Sequence, residues 1–280
     1  MKTVFLKKTL QSLVLLAVAG FSSASFAGAT WVFGDNKPAS ECTADEAKAG
    51  CVATNAPAGT PVVKVSAFST TGSGSAYAAA TLTSWSGGLG VLASGESNTA
   101  PQHAVDSSGS TDLVLLDFGT AKVDLDSLTI GWKGNSAGTE NGTGADADIS
   151  VFRYTGPGAP TVLGLTTTGM TGWTLVGNYA DLVTGAEKTI NSTNTASSWW
   201  LISAYNSNYG AASGVDQGVI GNAKKSATAG LQGGNDYFKV LSVVGTVKPT
   251  TGTPEPGSLA LMGIAMAGVV AVRRRKQTVV

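Results

Sequence analysis

Carboxylates recur in close pairs along the chain: Asp106 with Asp112, Asp124 with Asp126, and Asp146 with Asp148. Loop carboxylates two residues apart, together with backbone carbonyls, suit Ca2+, a hard cation that takes about six to eight oxygen ligands. Asp146 and Asp148 are the first candidates, and no cofactor other than Ca2+ is expected. Turn chemistry accounts for the same residues, because Asp accepts backbone N–H bonds in turns. No loop follows the EF-hand pattern. A glycosidase needs two carboxylates about 5–10 Å apart across a cleft, and spacing along the chain singles out no such pair.

His103 is the only histidine. A hydrolase triad would have to combine it with a serine and an aspartate, and a lone histidine is more often structural. The expectation is a protein without catalytic residues. Six tryptophans raise a different chemistry, since indole faces stack on sugar rings. Core packing uses the same residues. Trp199 and Trp200 are adjacent, so in a strand their side chains point to opposite faces. Adjacency does not say which of them faces outward, and both are carried as ligand candidates.

Cys42 and Cys51 are the only cysteines and lie nine positions apart in a polar stretch. In an oxidising compartment such a pair reads as a disulfide. Closing a loop of about ten residues contributes roughly 2.5–3 kcal/mol in the chain-entropy model. A redox pair and a metal site are the alternatives, although zinc wants about four ligands.

The elements that must position these residues read as strands. Val62 to Phe68 alternates in hydrophobicity, and Asp112 to Phe118 is apolar on both faces, as a central strand would be. Val123 and Leu125 share one parity, whereas Leu128, Ile130 and Trp132 share the other. The phase slips at Asp126-Ser127, which predicts a bulge or tight turn. Asp148 to Thr155, Trp173 to Tyr179, Trp199 to Tyr205 and Tyr237 to Val247 complete the clear set, and Gly156-Pro157-Gly158-Ala159-Pro160 is a break. One helical turn is allowed at Asp45 to Lys48. No segment of the body sustains helical periodicity. Many short strands with glycine-rich turns predict an all-β fold, an antiparallel β-sandwich or jelly roll.

Composition agrees. Glycine is 37 of 280 residues, about 13%, against a usual share of about 7%. Charged residues are 13%, about half the usual share. The formal net charge of zero conceals a division. Lys2, Lys7, Lys8, Arg273, Arg274, Arg275 and Lys276 lie at the two ends, so 18 less 7 leaves 11 basic residues in the body. Only Glu255 of the 18 acids lies in the tail, which leaves 17 and a body charge near −6. A mildly acidic surface disfavours nucleic-acid binding, which needs clustered Lys and Arg.

Both ends carry address signals. Lys2, Lys7 and Lys8 precede the apolar run Leu10 to Phe21, and Ser25-Phe26-Ala27 supplies small residues for cleavage after Ala27. That order is a secretory signal peptide, which implies the Sec translocon and signal peptidase as partners. At the other end, the polar linker 248–253 leads to Pro254-Glu255-Pro256, an uncharged run from Gly257 to Val272, and the cluster Arg273, Arg274, Arg275 and Lys276. As a helix the 16-residue run would span about 24 Å. That is short of a hydrocarbon core of about 30 Å, but arginine side chains can reach outward to the headgroups. The basic cluster should stop translocation and stay in the cytoplasm. The proline pair holds the preceding tripeptide extended at the outer face, open to a protease.

This ordered set, over Thr253 to Gln277, resembles the PEP-CTERM sorting domain. The resemblance implies processing by exosortase, a multi-pass membrane protease-transferase of Gram-negative bacteria that make exopolysaccharide. It implies cleavage near Pro254-Glu255-Pro256, a transient inner-membrane anchor, and delivery to the cell surface or the medium. In the body, His103-Ala104-Val105-Asp106, Asp112 to Phe118, Leu128 to Trp132, Asp146 to Val151, Trp199 to Tyr205 and Asp236 to Val240 resemble a family of exosortase-dependent surface proteins. That family brings no established activity.

The expected organisation is therefore a signal peptide (1–27), a β-sandwich body (28–247), a linker (248–253) and a sorting tail (254–280) with a transmembrane helix at 257–272. The expected role is a non-enzymatic surface or matrix protein associated with exopolysaccharide or biofilm. A carbohydrate-binding module with a lectin-like sandwich is the alternative, and a secreted hydrolase a distant third.

Overall fold

The computed structural model describes residues 28–33, 60–71, 76–212, 216, 218, 230–231, 236–248 and 263–266. The signal peptide with Ala27, the Cys42–Cys51 stretch with its helical turn, Pro254-Glu255-Pro256 and the basic cluster from Arg273 to Lys276 lie outside the described residues. Of the apolar run 257–272, only 263–266 is described, and it is helical. No helix among the described residues is long and apolar enough to cross a membrane.

The body is all-β. Its strands are β1 (Ala29–Val32), β2 (Lys64–Thr70), β3 (Tyr77–Trp85), β4 (Gly88–Leu92), β5 (Val105–Asp106) and β6 (Asp112–Asp117). They continue with β7 (Lys122–Lys133), β8 (Ile149–Tyr154), β9 (Trp173–Tyr179), β10 (Glu187–Thr189), β11 (Trp199–Ala204) and β12 (Tyr237–Lys248). All named strands pair antiparallel, in the order β10-β7-β12-β4-β3-β2-β6-β11-β8-β9, with β1 and β5 also on β12. The sequence predicts a sandwich or jelly roll; what forms is one antiparallel sheet that curls over on itself.

The corner lies in β3. Its first residues, Tyr77 to Ala80, pair with β2, and its last, Thr81 to Trp85, pair with β4. The curl lets both halves share one core. Trp31, Leu125 and Phe238 from one half meet Val114, Val151 and Trp200 from the other. Each aliphatic side chain buried this way is worth about 1.5–3 kcal/mol. Trp31 also sets its ring edge against Phe118, with centroids 4.9 Å apart. A second cluster covers the outer face of the β8–β9–β11 half, where Val162 of the segment after the glycine-proline break packs on Leu113, Phe152 and Leu201.

The phase slip is explained by the register. Val244 faces Ser127 and Gly245 faces Leu125, so Asp126 is an extra residue in β7. This bulge turns both Leu125 and Leu128 inward, and both are fully buried. Thr246 Oγ1 donates to Asp126 Oδ2 at 3.0 Å, and the Ile190 amide donates to the Asp126 carbonyl at 2.9 Å. The two halves of the pattern belong to one continuous strand.

Candidate functional site

Pairing of β5 with β12 sets Asp106 opposite Tyr237, at the end of the sheet where β6 and β8 begin. Seven carboxylates gather there. Asp146, the following Asp148 and Asp181 each offer an oxygen within 4.8 Å of the others. Glu96, Asp106 and Asp112 do the same nearby. Asp236 links the two groups: the Ser107 hydroxyl donates to its Oδ2 at 3.0 Å and the Asp148 amide to its Oδ1 at 2.8 Å. The carboxylates predicted for Ca2+, Asp146 and Asp148, do come together. Asp148 already accepts the Asp181 amide at 2.7 Å, and Asp181 Oδ2 accepts the Gly230 amide at 2.7 Å.

Asp106, Asp112, Asp148 and Asp236 are all buried. Burial removes the water that stabilises a carboxylate, so the charged form becomes costly. Desolvation pushes Asp106 up to about 8, opposed by the Ser108 amide. It pushes Asp112 well above the carboxylate range, and the Asp106 charge adds to that. Asp236 is raised in the same way, by burial first and by Asp148 second. Burial also raises Asp146; the Asp181 charge adds to the rise, while Lys133 pulls it down.

Glu96, Asp181 and Asp236 were not legible as members of this group. Glu96 follows Ser94-Gly95 in a loop without periodicity, and Asp181 lies in the left-handed region at φ 55 after β9. Only strand pairing brings them to the others.

His103 stacks on Trp85, with centroids 4.3 Å apart and planes inclined by 23°. Its Nδ1 is buried without a partner, so no carboxylate orients the ring as a triad requires. The pentapeptide Gly134-Asn135-Ser136-Ala137-Gly138 does have Gly-x-Ser-x-Gly spacing. It is no nucleophile elbow, because no helix follows β7 here: Ser136 lies in a turn in which Asn135 Oδ1 accepts the amides of Ala137 and Thr139.

Beside His103, Lys239 is held between two indoles, with Nζ 5.0 Å from the Trp85 centroid and 4.8 Å from that of Trp132. Burial brings the ammonium down to about 8, against the pull of Glu140. The folded pKa is thus below the unfolded value of about 10.4. The unfolded chain holds more protons on this lysine between those values, so the contribution of Lys239 to stability should rise as pH increases through that window. The buried Asp106, Asp112 and Asp236 act with the opposite sign in both proteins, so the measurement is the difference between the unaltered chain and Lys239→Met in urea midpoint, which should grow in favour of the unaltered chain from about pH 7 to 9.5. An unchanged slope in the variant would assign the effect elsewhere.

The structure separates the two adjacent tryptophans. Trp200 is wholly buried, and its Nε1 donates to the carbonyls of Val123 and Ser197, both at 3.2 Å. Trp199 is half-buried on the outer face, edge-on to Tyr154 at 5.6 Å, with Lys122 Nζ 5.9 Å from its ring centre. Of the pair, only Trp199 presents any surface to a ligand.

Beyond the body, residues 253–276 match the PEP-CTERM protein-sorting motif. The chain carries a PEP-CTERM sorting motif. The match includes Pro254-Glu255-Pro256, the apolar run and the basic residues through Lys276. The PEP-CTERM motif marks an exported protein, held at the membrane before processing, with exosortase as the processing partner. The match does not reach the body, so the PEP-CTERM motif assigns no activity to the β-sheet. No curated protein and no solved structure matches the chain significantly.

Proposed function

We propose that this chain is a non-enzymatic exported protein, delivered by exosortase to the cell surface or the medium and deposited among exopolysaccharide. The observation that carries the reading is the PEP-CTERM match at 253–276, with its proline pair, apolar run and arginine cluster in order. Arginine at the centre of a bilayer costs about 2.5–3.5 kcal/mol on insertion scales, so the cluster holds the tail in the membrane until the exposed tripeptide is cut. A body rich in glycine and turns, in which His103 Nδ1 has no carboxylate partner among the described residues, suits a structural rather than a catalytic role.

The test is the intact mass of the protein recovered from host cells and medium. The expected mass lacks residues 1–27 and the tail from near Pro254 onward, and it carries any group added in transfer. It should also be two hydrogens lighter than the reduced chain, because Cys42 and Cys51 are proposed to be joined. A mature species that retains Arg273 to Lys276 would overturn the sorting reading.

Carbohydrate binding is the second reading, and Trp199 favours it. An indole with Tyr154 beside it and Lys122 nearby can stack on a sugar and bond its hydroxyls. At the opposite end of β8 from Tyr154, the carboxylates of Asp146 and Asp148 remain the proposed Ca2+ ligands of their group, with Asp181 as the third.

A further inference from the structure

The other carboxylate group, Glu96, Asp106 and Asp112, holds a buried oxygen without a partner. In Asp112 one oxygen has a donor and one does not. Oδ2 accepts the Asp106 amide at 3.3 Å, whereas Oδ1 is buried with no partner. The Ser69 hydroxyl is close enough to favour the ionised carboxylate, but it directs its proton to the Thr70 carbonyl at 3.2 Å. A fully buried, half-satisfied carboxylate is costly to leave alone. Among the described residues no basic side chain contributes to the field at Asp106 or Asp112, and the neighbouring Glu96 adds more negative charge.

We infer that Glu96, Asp106 and Asp112 bind a Ca2+ ion, which satisfies Asp112 Oδ1 and ties the β4–β5 loop to the ends of β5 and β6. With their oxygens within 4.8 Å of one another, an ion at the centre of the three lies at most about 2.8 Å from each, close to the Ca2+–O range of about 2.3–2.6 Å. The donors are all hard oxygens, with neither thiolate nor imidazole among them, which favours Ca2+ over zinc or copper. Glu96 is already positioned: its Oε2 accepts the Ala93 amide at 2.8 Å, and Ser110 donates to Oε1 at 3.4 Å. Ser108 donates its amide to Asp106 Oδ1 at 2.9 Å, which orients the second carboxylate. A divalent cation also offsets the desolvation cost that the ionised carboxylates otherwise bear in this corner.

The ion would bridge the two halves of the curled sheet, since β5 pairs with β12 in one half and β6 with β2 and β11 in the other. An exported chain meets calcium outside the cell, where modules with dissociation constants of about 10⁻⁴–10⁻³ M are useful. The experiment is thermal unfolding of the full-length chain in EDTA and in Ca2+ alone. Going from EDTA to about 10 mM Ca2+ should raise the midpoint by about 3–10 °C.

Asp112→Asn should lose this increment, with an EDTA midpoint no lower than that of the unaltered chain. Glu96→Gln, on a half-exposed loop residue, is the second variant and should lose it too. Asp146→Asn, in the neighbouring group, should keep the larger part of it and lose only what an ion at its own group adds. The proposal fails if Ca2+ shifts nothing, if NaCl of matched ionic strength shifts as much, or if Asp112→Asn and Glu96→Gln respond like the unaltered chain. It fails equally if Asp146→Asn alone removes the response.

Discussion

Trp200→Ala should lower the unfolding free energy by about 3–5 kcal/mol, the range for large aromatic truncations in a packed core. For a body of this size that corresponds to a fall of roughly 6–20 °C in the midpoint. Trp200 is wholly buried between the two halves of the curled sheet, and its Nε1 bonds to Val123 in β7 and to Ser197. Removing the indole leaves a cavity where the halves meet and deprives two carbonyls of a donor. Trp199→Ala should cost much less, because that ring is half-exposed and packs edge-on against Tyr154. The pair of variants therefore also decides the carbohydrate reading. Retention of a polysaccharide in pull-down that disappears in a folded Trp199→Ala protein would favour sugar binding. Equal stability loss in the two variants, measured by urea unfolding, would contradict the placement of the two rings.

Gly90→Ala has the second-largest expected effect. A Cβ at Gly90 would lie 1.9 Å from the His103 carbonyl oxygen and 2.9 Å from Thr83 Oγ1. The first of these is backbone, and it is fixed by the Thr83 hydroxyl, which donates to it at 3.1 Å. A backbone obstacle cannot rotate away, so β4 and the segment after it must separate. The cost should be about 3 kcal/mol, at the upper end of ordinary overpacking. The Val91 amide also donates to the Ala104 carbonyl at 3.2 Å, so the same displacement reaches β5. Calcium response should weaken along with stability. A Gly90→Ala protein with an unchanged midpoint and unchanged calcium response would show that the close approach is not made.

The same glycine shows why part of the fold escapes a reading by periodicity. Ser86-Gly87-Gly88-Leu89-Gly90-Val91 looks like a loop, because glycine is poor strand material. It contains the start of β4, since only a residue without Cβ fits so near another backbone. A Cβ at Gly88, which has φ +117, would meet the Val240 carbonyl at 2.3 Å. The short strands β1, β5 and β10 escape for another reason: two to four residues are too few to show alternation.

What the sequence determines by itself is what depends on neighbours along the chain. The order of basic, apolar and small residues at one end, and of prolines, apolar run and arginines at the other, acts on an extended chain at a membrane, where linear order is the signal. The apolar runs of β6, β9, β11 and β12 are local features of the chain, and the slip at Asp126 follows from the two-residue period of a strand. The curl of the sheet, the inward choice of Trp200 over Trp199, and the meeting of Glu96, Asp106 and Asp112 were decided only in three dimensions. Antiparallel pairing joins residues such as Ser107 and Asp236, which are 129 positions apart. Burial then makes the charged form of these ordinary loop aspartates costly, and burial belongs to the packed sheet rather than to any stretch of chain.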